Sequence, residues 1–138
     1  MKNRRNFIKT SAAAAAAVAL SGKALAGSGK KTAKLNLPGL IYTEKNQGKW
    51  QNKAGSHLPE VTVNGNKVSM VTNHGMSEMH YIVRHTLVDE NGIVLDAKTF
   101  FPSDEPRSEF ELPQGYNGTL YATSFCNKHD FWVKEFKV

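Results

Sequence analysis

Val61-Thr62-Val63-Asn64-Gly65-Asn66-Lys67-Val68-Ser69-Met70-Val71 is two β-branched runs on either side of an Asn-Gly pair. Asn-Gly in a short loop supplies the positive φ angles of a tight hairpin turn, so this stretch specifies two antiparallel strands. The same grammar repeats toward the C-terminus. Residues 81–88 and 93–101 flank Asp89-Glu90-Asn91-Gly92, residues 109–112 and 119–125 form two further runs, and residues 131–138 close the chain. No segment sustains the helical apolar period. About seven short strands, with turn signals roughly every 8 to 12 residues, predict an all-β fold: an immunoglobulin-like antiparallel β-sandwich occupying residues 53–138.

Upstream the pattern changes twice. Residues 27–52 read as a flexible leader, opening on Gly27-Ser28-Gly29-Lys30-Lys31 and carrying little periodicity. Residues 1–26 read as a twin-arginine signal peptide: Arg4-Arg5-Asn6-Phe7-Ile8-Lys9, a modest apolar stretch, and the small-residue site Ala24-Leu25-Ala26. That apolar stretch is too short to span a bilayer, so a periplasmic protein without stable membrane insertion is expected. The signal holds Lys2, Arg4, Arg5, Lys9 and Lys23 and no acidic residue, so 18 basic against 12 acidic residues become 13 against 12 on its removal. The net charge of +6 therefore belongs to the precursor and does not argue for nucleic acid binding.

Chemistry concentrates in His57, His74, His80, Cys126 and His129. These nitrogen and sulfur donors fall at the ends of expected strands, and one metal held by five side chains explains them economically. The lone cysteine excludes an intramolecular disulfide, and its two-residue gap to His129 suits a shared ion. His85 reads differently. In a strand over residues 81–88 it shares the face of Tyr81, Val83 and Leu87, opposite to His80, and is expected as a hydrogen-bonded residue of the core or of the layer behind the donors, not as a donor itself. Met76 and Met79 flank the donors and read as packing.

The donor motifs resemble those of the superoxide reductases, also called neelaredoxins and desulfoferrodoxins. The family's His-Pro-Met, three residues, His-Tyr-Ile is similar to His74-Gly75-Met76-Ser77-Glu78-Met79-His80-Tyr81-Ile82. Its Cys-Asn-x-His-Gly-x-Trp resembles Cys126-Asn127-Lys128-His129-Asp130-Phe131-Trp132, and its Lys-His-x-Pro resembles Ser56-His57-Leu58-Pro59. The resemblance implies one mononuclear iron, with His57, His74, His80 and His129 equatorial and Cys126 axial. It implies reduction of superoxide to hydrogen peroxide with electrons from an external donor, rubredoxin-like or another periplasmic redox protein. A homo-oligomer is compatible with it. A rubredoxin-like second iron site would need more cysteines than this chain has.

Four positions depart from the family pattern. Gly55 and Ser56 stand where the family commonly has Glu-Lys, Gly75 replaces its proline, and Asp130 replaces its glycine. Lys53 is expected to take over part of the missing lysine's role, with Lys49 as the second candidate. The departures keep open a non-catalytic iron-binding or electron-transfer protein of the same fold. A cupredoxin-type copper site is disfavoured by the absence of a methionine after His129, and structural zinc by the offer of five ligands where four suffice.

Overall fold

The computed structural model describes residues 37–138, so the signal peptide and the first ten leader residues lie outside the described residues. The described elements in chain order are β1 (Ile41–Tyr42), α1 (Ala54–His57), β2 (Glu60–Asn64), β3 (Lys67–Val71), β4 (Ile82–Asp89), β5 (Val94–Thr99), β6 (Arg107–Glu111), β7 (Thr119–Cys126) and β8 (Asp130–Lys137). They form a five-stranded sheet in the order β1-β8-β7-β4-β5 and a three-stranded sheet in the order β2-β3-β6. All pairs are antiparallel except β1 with β8.

Local chemistry makes the turns. Gly65 closes the first hairpin at φ +61°. At the second, the Asp89 carboxylate accepts the amides of Asn91 and Ile93, both at 2.8 Å, and Gly92 adopts φ +82°. An acidic side chain that caps its own turn in this way fixes the chain reversal without help from the core.

Alternation then buries one face of each sheet. Val68, Met70 and Phe110 of the small sheet meet Leu87, Leu120 and Ala122 of the large one, with Leu112 beside them. Each large apolar side chain buried there contributes roughly 1.5 to 3 kcal/mol. A second cluster of Ile82, Phe100 and Cys126, packed by Met76, fills one end of the sandwich. The Cys126 sulfur is thus set in apolar surroundings at the same end as the candidate site.

Strict alternation fails at the start of β4. His85 and Leu87 face the core, but a register shift between Ile82 and Arg84 brings Ile82 inward and leaves Tyr81 and Val83 half-buried. An extra residue in a strand exchanges its faces, which period-two reading alone does not detect.

Residues 37–52 hold defined structure. Ile41 and Tyr42 pair with Phe131 and Trp132, and the buried Tyr42 ring lies 5.6 Å from that of Trp132. Gly48, at φ +47°, approaches the same ring so closely that a Cβ there would stand 2.8 Å from Tyr42 Cε1. A two-residue strand and single-residue contacts leave no periodic signature in sequence.

Candidate metal centre

Each donor is aimed by its local backbone. His57 ends the single turn α1, where its Nδ1 lies 3.0 Å from the Lys53 carbonyl and 2.8 Å from Ser56 Oγ. A carbonyl accepts only, so Nδ1 carries the proton and Nε2 keeps its lone pair. His74 follows β3, with its amide on the Thr72 carbonyl at 2.8 Å. His80 closes a tight turn in which Ser77 and His80 exchange backbone hydrogen bonds of 3.0 and 3.1 Å. Cys126 and His129 occupy the β7–β8 turn, where Trp132 Nε1 donates to the His129 carbonyl at 2.9 Å.

These segments bring five atoms together. His57 Nε2, His74 Nε2, His80 Nε2, His129 Nδ1 and Cys126 Sγ meet in a group whose ligand atoms all lie within 4.8 Å of one another. Around the ring of nitrogens, His57 is 2.9 Å from His129, His129 is 3.0 Å from His80, and His80 is 3.1 Å from His74. A square of that edge has corners about 2.1 Å from its centre, the length of a metal–imidazole bond. One proton on His129 Nδ1 cannot serve the Nε2 atoms of both His57 and His80, whereas a cation serves every lone pair at once. Cys126 Sγ stands 3.6 Å from His129 Nδ1 and 3.9 Å from His74 Nε2. The donor set fits a metal.

Burial and charge prepare the imidazoles to be neutral. Desolvation lowers the His57 pKa to about 4, reinforced by His74, His129 and His80. His74, His80 and His129 are also lowered, first by burial. Lys53 contributes to the lowering at all three, so its ammonium stands close enough to act on the site. Lys128 acts on His80 and His129. His57 and Cys126 are buried and the other three donors are partly exposed, so the centre is held from inside and open from outside.

Other residues complete the surroundings. Asn127 Oδ1 accepts the Tyr81 amide at 3.0 Å and its Nδ2 donates to the Met79 carbonyl at 3.2 Å, tying the His80 loop to the Cys126 turn. Trp50 packs edge-on to His129, with centroids 4.6 Å apart. Asp130, beside His129 in sequence, is taken up by Trp50 and Lys49. The sequence motif contains Asn127 without revealing this role, and Trp50 lies outside every motif. An amide between Cys126 and His129 was a signal for the first, whereas nothing local marks the second. His85 lies outside the cluster, buried against Phe100.

Residues 47–135 match the family model described as desulfoferrodoxin. The chain belongs to the desulfoferrodoxin family. Among solved structures, this desulfoferrodoxin-family chain is similar to the superoxide reductase (neelaredoxin) from Ignicoccus hospitalis, with 27% identity, 71% of this chain and 93% of that one covered, and a TM-score of 0.59. A variant of that protein aligns with a TM-score of 0.64 at 27% identity, over 72% and 93% of the two chains. The one-iron superoxide reductase from Giardia intestinalis aligns at 25% identity over 60% of this chain and 98% of its own, with a TM-score of 0.54. No curated protein matches the sequence significantly. Residues 3–21 match the twin-arginine signal model, so this desulfoferrodoxin-family protein is exported by that pathway to the periplasm. No helix among the described residues is long and apolar enough to cross a membrane.

Proposed function

We propose that the protein is a periplasmic superoxide reductase, binding one iron through His57, His74, His80, His129 and Cys126 and reducing superoxide to hydrogen peroxide. The observation that carries this reading is the convergence of four imidazole nitrogens and one sulfur within 4.8 Å. When bound there, iron supplies the single electron that, with two protons, converts superoxide to hydrogen peroxide, and an external redox partner restores it. The chain's own residues do the rest. Lowered proton affinity leaves the four rings as neutral donors at neutral pH. The Lys53 ammonium, felt at three of those rings, draws a small anion toward the exposed side. Inside, the apolar cluster of Ile82, Phe100 and Met76 shields the Cys126 sulfur.

A second reading, an iron-binding or electron-transfer protein without turnover, is favoured by Gly55 and Ser56 at the places of the usual Glu-Lys. Protein purified after export decides between them by metal analysis, visible spectrum and pulse radiolysis. About one iron per chain is expected, with a ferric thiolate charge-transfer band that disappears in Cys126→Ser, and rapid oxidation of the ferrous form by superoxide. Stoichiometric copper or zinc would overturn the iron assignment. Iron and band without fast oxidation would establish the second reading.

A further inference from the structure

His85 sits between the two sheets, fully buried, with a hydrogen-bond partner on each ring nitrogen. Thr72 Oγ1 donates to Ser124 Oγ at 3.0 Å and lies 2.8 Å from His85 Nε2. With its one proton committed to Ser124, the threonine hydroxyl accepts from Nε2–H. Nδ1 then keeps its lone pair and accepts from Ser108 Oγ at 2.8 Å. The neutral ring is satisfied on both sides. Thr72, Ser108 and Ser124 are each at most 2% exposed, so these bonds face no competition from bulk water.

The two hydroxyls joined through Thr72 stand at the roots of two metal donors. The Thr72 carbonyl accepts the His74 amide at 2.8 Å, and its own amide donates to Pro106 at 3.0 Å, so Thr72 sets where the His74 loop begins. Ser124 precedes Cys126 by two residues on β7, and both are buried on its inner face. Ser124 also pairs directly with His85 across β4 and β7. Ser108, on β6, anchors the same ring to the small sheet.

Resting on the metal-centre reading above, we propose that His85 is a positioning residue for that centre: through Thr72 and Ser124 it holds the His74 loop and the Cys126 strand in register. An apolar residue would fill the same space without fixing direction, whereas a satisfied polar network specifies one arrangement. The spacing it maintains is that between His74 Nε2 and Cys126 Sγ, 3.9 Å apart.

The test compares iron release to a chelator, the ferric charge-transfer band and the melting temperature across four variants. Thr72→Val removes the hydroxyl that joins His85 to Ser124, and His85→Leu removes the ring that orients that hydroxyl. His85→Asn retains a donor and an acceptor. Leu87→Ala removes a buried side chain from the same face of β4 without touching the network, and so reports the effect of lost stability alone. Iron release about 10 to 100-fold faster, with a displaced band, is expected in Thr72→Val and His85→Leu, with partial rescue in His85→Asn and wild-type behaviour in Leu87→Ala. Should Thr72→Val not fold, Ser124→Ala provides the same comparison. Release and band unchanged in His85→Leu or in Thr72→Val, or equally altered in Leu87→Ala, would overturn the proposal while leaving the metal centre standing. Wild-type protein that takes up no iron would overturn both.

Discussion

Trp50 donates its indole N–H to Asp130 Oδ2 at 3.0 Å, joining positions 80 residues apart. Lys49 closes the clasp, 3.2 Å from the same carboxylate oxygen and 4.8 Å from the Trp50 ring centroid. The clasp holds Trp50 against His129, and it explains an acidic residue at φ +63°, a conformation that glycine adopts freely.

Asp130→Gly gives up the clasp but relieves the backbone, whereas Asp130→Ala gives up the clasp and keeps the strain. The alanine variant should therefore be the less stable by about 1 kcal/mol in denaturant unfolding of the metal-free protein. Both should raise acrylamide quenching of tryptophan fluorescence, because Trp132 is buried and Trp50 is the ring released. Equal stability of the two variants with unchanged quenching would remove the clasp from the account.

Gly48→Ala tests whether residues 37–52 belong to the folded domain. The added methyl meets the buried Tyr42 ring at 2.8 Å, and the positive φ adds strain. A loss of about 2 to 3 kcal/mol is expected in thermal or denaturant unfolding. A neutral effect would mean that this segment contributes nothing to stability.

The His85 pKa is lowered to about 4, chiefly by burial, with the nearby Lys98 charge acting in the same direction. Above about pH 6.5 the ring is neutral in folded and unfolded chains, and its contribution to stability is complete. Between about pH 6.5 and 4 the unfolded chain binds a proton that the folded chain refuses, so stability falls as pH falls. The full loss is on the order of 3 kcal/mol. Metal-free wild type should lose about 2 kcal/mol more than His85→Asn between pH 7 and about 4.5. Parallel pH profiles for the two proteins would contradict a buried neutral histidine.

Lys53 acts on three of the four site histidines, so its charge should be felt by an approaching anion as well. Lys53→Ala should lower the second-order rate of superoxide oxidation of the ferrous protein several-fold and flatten its dependence on ionic strength, with iron content unchanged. Rates identical to wild type at low and high salt would exclude a steering role.

Much of the architecture was legible because its causes are local. Asn-Gly and Asp89-to-Gly92 encode reversals within a few residues, and alternating apolar positions encode which face of a strand turns inward. The donors were legible because histidine and cysteine are scarce here and chemically distinctive. The β4 bulge was hidden, since one inserted residue exchanges Tyr81 and Val83 for Ile82 without disturbing the composition of the run.

From the sequence alone came the β-sandwich, the export signal and the identity of five candidate donors, each read from neighbours in the chain or from a recognisable motif. Only the tertiary structure decided which ring nitrogens converge, with Nε2 presented by three histidines and Nδ1 by His129. It alone joined Trp50 to Asp130, Asn127 to the His80 loop, and Thr72 to His85 and Ser124. The physical reason is distance along the chain. Hydrogen bonds and ring contacts between residues 13 to 80 positions apart depend on how sheets pack and turns are aimed, and no local pattern records that pairing.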